Sequence, residues 1–228
     1  MDKKQNIFIF GTTPFSEEVM HYFQERSEYN VVGFVVDDEY KKQDTFCGLS
    51  VVPMSDCQSK YPKETHGCFV SLGYKNMNRL RQEKMNYFMK QGYQLVSYID
   101  PSVKRFQNSY IGVNCFIMEN VVLQWDTSVA DGCIILSGTC IGHHTTIGKY
   151  VFISIGAMIA GITKIGENSF IGANATIIDN LNVAPYTLVG AGSYISKNTS
   201  QYGVYVREKS KDIIKNMDCK EKLQTQYL

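Results

Sequence analysis

An aliphatic residue returns every six positions through the second half of this 228-residue chain, and no other feature narrows its fold so far. The series starts at Ile111, Ile117, Leu123, Val129, Ile135 and Ile141 and continues through Ile147 to Val183, Val189 and Ile195, fifteen units without a phase slip. The fifth position of each unit is also restricted. It holds Cys115, Val121, Thr127, Cys133 and Thr139 and then only small or β-branched residues up to Thr199, apart from Leu181. Glycine often follows the aliphatic residue, as at Gly112, Gly142, Gly148, Gly166, Gly172 and Gly190. A period of six matches neither the 3.6-residue helix nor the two-residue strand. It fits a β-solenoid with one short strand and one turn per unit, three units closing a triangular coil with the aliphatic side chains on its axis. Stacked coils pair through their backbones roughly 4.8 Å apart. Residues 18 apart therefore share a column.

The first hundred residues obey a different rule. Ile7-Phe8-Ile9-Phe10 reads as a buried strand ending at Gly11, and Thr13-Pro14 as a helix cap with proline at the first helical position, opening a helix to about residue 25. Val31 to Val36 is a second strand ending at Asp37-Asp38, and Cys68 to Leu72 a third ending at Gly73. A helix is predicted from about Asn76 to Gln91 with Gly92 at its C-terminal cap, then a further strand over Gln94 to Ile99. Alternating strands and helices make a parallel sheet, whose ligands bind at the carboxyl ends of the strands. The groups offered there are Gly11-Thr12-Thr13, Asp37-Asp38 and Gly73-Tyr74; Asp37-Asp38 reads equally as a ribose or base ligand and as a solvated acidic turn. The first turn lacks the G-x-G-x-x-G pattern, which argues against a standard nicotinamide site. The predicted domains are residues 1–105, a small Rossmann-like unit; 106–207, the solenoid; and 208–228, a tail or short helix.

Composition excludes several classes of function. Twenty-three Lys and Arg balance 22 Asp and Glu, a net charge of +1, so there is no electrostatic footprint for nucleic acid or an anionic membrane. No apolar run is long enough to span a bilayer. The run after Asn6 is too short for a signal-peptide core, and a cytoplasmic location is expected. Seven cysteines without a CxxC pair and four scattered histidines point to reduced packing thiols and to no metal site.

The two halves together resemble the sugar O-/N-acyltransferase family of hexapeptide-repeat transferases, which includes sialic acid O-acetyltransferases and the N-acetyltransferases of bacillosamine and perosamine. The resemblance rests on Ile7-Phe8-Ile9-Phe10-Gly11, Asp37-Asp38, Leu72-Gly73, Ser137-Gly138-Thr139-Cys140-Ile141-Gly142-His143, Ile153-Ser154-Ile155-Gly156-Ala157 and Ile171-Gly172-Ala173-Asn174-Ala175-Thr176. It implies a left-handed parallel β-helix and a homotrimer. It further implies acetyl-CoA, bound by the helix between subunits, as co-substrate and a nucleotide-linked amino sugar bound by the N-terminal domain. The first turn departs from the family pattern, reading Gly11-Thr12-Thr13-Pro14-Phe15-Ser16, and the histidine is flanked by Gly142 and His144, where the family often has a carboxylate.

Acyl transfer needs a base for the nucleophile's proton and a donor for the oxyanion. By periodicity alone His143 is equally a base or an exposed turn residue; the resemblance implies the base. Gly161 lies 18 residues on, in the same column, and with no side chain it offers its N–H to a thioester. His144 has Asp126 one coil below it, and both contact and plain exposure fit the spacing. Trp125, one coil below His143, reads as a pocket wall or as packing between subunits. The resemblance places the coenzyme at Gly161, Ala173 and Ala191; Lys197, near the end of the helix, is expected to meet a CoA phosphate, whereas Arg207, Lys209 and Lys211 read as a solvated tail in preference to further phosphate contacts. The acceptor is expected at Thr13, Phe15, Asp37, Asp38 and Gly73. The predicted activity is N-acetylation of that amino sugar for surface polysaccharide or glycan synthesis. O-acetylation is the near alternative, and a silent assembly subunit is the reading from a different class.

Overall fold

The computed structural model describes residues 5–208, and the tail expected beyond them, with Lys209 and Lys211, lies outside the described residues. Strand β1 (Gln5–Phe10) lies inside the N-terminal sheet, paired on both edges, and both of its faces are apolar: Ile7 and Ile9 join one core, Phe8 and Phe10 the other. Helix α1 (Pro14–Arg26) starts as expected, with Thr13 and Ser16 forming a reciprocal capping box. Strand β2 (Tyr29–Val36) pairs parallel with β1.

The chain then forms two strands that the sequence reading missed, β3 (Thr45–Phe46) and β4 (Leu49–Pro53). Their two-residue turn is Cys47-Gly48, with φ of 49° and 76°. Two left-handed residues suit a tight hairpin, but cysteine hides the usual Asn-Gly signal. After the short helix α2 (Cys57–Lys60), β5 (His66–Val70) pairs with β1, giving the order β3-β4-β2-β1-β5. Helix α3 (Arg79–Lys90) is shorter than predicted, because Asn76, Met77 and Asn78 all adopt positive φ. The strand expected over Gln94 to Ile99 also differs. Leu95 makes only an isolated bridge to Cys68, while Tyr98–Ile99 leaves for the solenoid.

The solenoid is a left-handed parallel β-helix whose two-residue strands stack in three flat sheets. The first face runs from Tyr98–Ile99 through Phe116–Ile117 to Val204–Tyr205, the second from Lys104–Arg105 to Tyr194–Ile195, and the third from Tyr110–Ile111 to Asn182–Val183. Its first two strands thus precede residue 106. The aliphatic series is buried along the axis. No helix among the described residues is long and apolar enough to cross a membrane.

The α/β unit packs on the first face. The outward residues there are Phe116, Ile134, Phe152 and Phe170, 18 apart, and they share a core with Ile7, Phe23 and Phe69. The other two faces carry Cys140, Met158 and Thr176, and Thr146, Lys164 and Asn182, at the equivalent positions. One apolar column in three therefore dictates where the domain docks. Polar groups then fix the angle. Tyr22 and Ser137 both donate to Glu119, at 2.8 and 2.6 Å. Arg26 pairs with the buried Asp100 at 2.9 Å. Burial raises the Asp100 pKa, but the donors Ser102 and Tyr98, with Arg26, outweigh it and hold the carboxyl below its ordinary value.

Arg81 is the strongest of these ties. It is 0% exposed and has no carboxylate partner among the described residues. Its guanidinium donates to the carbonyls of Leu72 and Gly73 in the sheet's last loop, to Asn78 Oδ1, and to the carbonyls of Gly132 and Tyr150 on two successive coils, all within 3.1 Å. Burial brings its pKa down to about 10, so it stays charged at neutral pH. Arg81→Met should remove about 3 kcal/mol or more of stability, since several buried carbonyls lose their donor at once. Urea unfolding checks this; a loss below about 1 kcal/mol would show that the interface does not depend on Arg81.

Candidate active site

His143 stands at the vertex between the second and third faces, the vertex opposite the face that carries the α/β domain. Its amide donates to Gln124 Oε1 at 3.1 Å and its carbonyl accepts from Ile162 N at 2.8 Å, so the backbone is held from the coils below and above. The imidazole lies directly over Gly161. A Cβ built there would sit 2.8 Å from His143 Nε2 and 2.9 Å from Cε1, closer than side chains pack. Gly142 is required for a related reason, because a Cβ on it would run into the Gly161 backbone nitrogen. The two glycines thus let one coil close on the next and leave room for the ring. Among the described residues the Gly161 N–H has no hydrogen-bond acceptor. A groove of about 480 Å³ opens here, lined by Gln124, Cys140, His143, Gly161, Thr176 and Asp179.

His144 is the neighbour of this arrangement. Its Nδ1 lies 3.0 Å from His143 Nδ1, with the two rings at 87°. Its Nε2 lies 3.9 Å from Asp126 Oδ2, so the contact left open by the sequence exists at ion-pair distance, with both side chains half exposed. Trp125 is 53% exposed, packs edge-on against Phe106 and does not line the groove.

The predicted coenzyme residues divide between two vertices. Lys197 is exposed in the His143 column, two coils beyond Gly161. Ala173 and Ala191 share a column of their own at the vertex between the first and second faces. Arg207 is exposed near Gly192. Among the described residues no group of three or more His, Cys, Asp or Glu gathers to hold a metal.

At the strand ends of the N-terminal sheet a hollow of about 270 Å³ is lined by Gly11, Thr12, Thr13, Asp37, Tyr40 and Leu80. A second, of about 360 Å³, is reached past Asp37 and Asp38 and is lined by Ser55, Gln58, Tyr87 and Gln91. Asp37 is paired with Lys84 Nζ at 2.5 Å, and Asp38 Oδ1 accepts from Ser55 N at 3.0 Å. Thr13, Asp37 and Asp38 therefore come together. Gly73 spends its carbonyl on Arg81 and does not line either hollow. Phe15, expected at the acceptor site, turns inward instead and packs edge-on against Phe116 at 5.6 Å. Its position in the first helical turn aims it at the solenoid, whose aromatic column was not recognised. Lys84, Tyr40 and Gln124 were also missed. Lys84 follows Arg81 by three residues and shares its side of α3, which was the available signal.

Two family models match the sequence. The PglD N-terminal domain covers residues 6–88, and the bacterial transferase hexapeptide repeat covers residues 144–179. The chain thus joins a PglD-type domain to transferase hexapeptide repeats, and this architecture fits the sugar acyltransferase family that the sequence resembles. Among solved structures, it is similar to the acetyltransferase domain of PglB from Neisseria gonorrhoeae at 22% identity, covering 89% of this chain and 97% of that one, with a TM-score of 0.79. PerB from Caulobacter crescentus, solved in complex with CoA and GDP-perosamine, is similar at 23% identity over 89% of this chain and 94% of its own, also with a TM-score of 0.79. WeeI from Acinetobacter baumannii is 20% identical over 88% and 96%, with a TM-score of 0.76. At these identities the likeness is one of fold. No curated protein matches by sequence.

Gly161→Ala tests the local geometry. The added methyl must push the His143 ring off the column, while the backbone at this glycine is not in the left-handed region and accepts alanine. We expect the His143 ring resonances to shift with a melting temperature within about 3 °C of the parent. Unmoved ring signals would mean that the ring does not lie on Gly161.

Proposed function

We propose that this chain is an acetyl-CoA-dependent N-acetyltransferase of a nucleotide-linked amino sugar, serving surface polysaccharide or glycan synthesis. The observation that carries the reading is the stacking of His143 on Gly161, which puts a ring nitrogen and a free backbone N–H in one groove. A neutral amine attacks the thioester carbonyl, and the developing oxyanion meets the Gly161 N–H. His143 Nε2 takes the proton that the amine sheds. Collapse of the tetrahedral intermediate breaks the C–S bond, and the departing thiolate receives that proton to leave as free CoA. Gln124 and Asp179 line the same groove, and Lys197 offers a cation to a phosphate further along the column.

Topology also favours the trimer that the resemblance implies. The strand-end hollows belong to the domain on the first face, whereas His143 lies at the opposite vertex. A sugar anchored near Asp37 thus faces away from the histidine of its own chain, and a neighbouring copy must supply the base. N-acylation is favoured over O-acylation by similarity in fold to PerB, which was solved with an amino-sugar nucleotide.

The test is turnover of acetyl-CoA with a panel of UDP-, GDP- and dTDP-linked amino sugars. His143→Ala should lower kcat by about 10²–10⁴-fold with coenzyme binding retained. Binding of neither ligand type would contradict the enzyme reading, and full activity of the alanine variant would contradict the assigned base.

A further inference from the structure

Every unit from Asn114 to Gly192 places its fourth residue in the left-handed region, with φ between 53° and 71°. Ten of these fourteen positions hold Asn, Asp or Gly, the residues that tolerate it. Four do not: His144, Tyr150, Ile162 and Tyr186. Tyr150 is used in docking, its carbonyl bound by Arg81 and its hydroxyl 3.3 Å from Asn86 Oδ1. Tyr186 stacks on Tyr202 and lies under Arg79. Packing explains both. His144 and Ile162 are each more than half exposed and share one column with Asp126, beside the reacting groove. What singles out His144 is not the turn, which Ile162 shares, but its two polar neighbours, His143 and Asp126.

Those neighbours impose a direction. Two ring nitrogens 3.0 Å apart need one donor and one acceptor. A carboxylate only accepts, so Asp126 favours the proton on His144 Nε2, 3.9 Å away. Neutral His144 then presents an unprotonated Nδ1. His143 must put its own proton on Nδ1 and leave Nε2, the nitrogen over Gly161, free. Asp126 is itself steadied by Asn108 Nδ2 at 3.4 Å from Oδ1. We propose that Asp126 and His144 are positioning residues that fix the tautomer of His143 and stabilise the imidazolium it becomes, so that a carboxylate one coil below acts on the base through a second histidine. This rests on the reading of His143 as the base. No further proton transfer is involved: the proton passes from the amine to His143 Nε2 and then to sulfur, while the Nδ1 proton of His143 stays in place. At 3.9 Å the pull of Asp126 is electrostatic, beyond hydrogen-bond length, and grows when His143 becomes charged.

The chain has four histidines, so long-range ¹H–¹⁵N correlation of the rings is readable without substrate. With both rings neutral, His143 should carry its proton on Nδ1 and His144 on Nε2, and Asp126→Asn should mix the His143 tautomers. Kinetically, Asp126→Asn and His144→Asn should each lower kcat about tenfold, the scale of partners that orient a reacting ring, with both KM values within about twofold. The double variant should cost no more than the worse single one. His144→Asn suits the left-handed turn, so its melting temperature should hold or rise while kcat falls, which a merely structural residue would not do. His144→Glu sets a carboxylate directly beside His143; it should restore most of the rate lost in His144→Asn, and in its background Asp126→Asn should have no effect. A proton on His143 Nε2, or additive losses in the double variant, would overturn the proposal. Failure of the panel of amino sugars with the tautomers as stated would overturn the substrate reading alone.

Discussion

The backbone pairing of each coil with the next is the interaction on which the rest of this structure depends. Gly142 N bonds to Ile159 O and Cys140 N to Ala157 O, and the turns are stitched as well, His144 N to Trp125 O and Ile162 N to His143 O. Each bond is modest in net terms, but the ladder has no slip from Tyr98 to Ile195. A strict period turns sequence distance into spatial position. His143 meets Gly161 for this reason alone, and Asp126 meets His144 for the same reason. The aromatic column that seats the N-terminal domain, Phe116 to Phe170, is a third result of that one register.

That register was legible in the sequence, and so were β1, the capped start of α1 and the pairing of His143 with Gly161. What escaped was information carried by columns other than the axial one. The aliphatic series announces itself because every unit repeats it; the docking face repeats only every third unit, at Phe116, Ile134, Phe152 and Phe170, and is diluted threefold in a six-residue reading. Phe15 was misplaced in consequence: without a recognised partner for its ring, a residue in the first turn reads as a ligand group. The hairpin of β3 and β4 was lost because Cys47 occupies a left-handed position where asparagine would have signalled a turn. Asn76 to Asn78 show the reverse case, where good helical spacing is overridden because Asn78 and Asn168 bind each other's neighbouring backbone.

Left-handed turn residues connect stability with chemistry. Asparagine and glycine accept the turn at little cost, and most vertices use them. Where the chain places a histidine or a tyrosine instead, that side chain is engaged in something that the turn alone does not require. At Tyr150 and Tyr186 it is the seat of the N-terminal domain, and at His144 it is the ring of His143. The same solenoid therefore carries a docking vertex between its third and first faces and the polar vertex of His143 and His144 between its second and third.

The most direct test of the account is a crystal structure with CoA bound. The account predicts the thiol sulfur in the groove between the His143 ring and the Gly161 N–H, with the phosphates further along the Lys197 column. A sulfur lodged at the vertex of Ala173 and Ala191, out of reach of any His143 in the assembly, would contradict it.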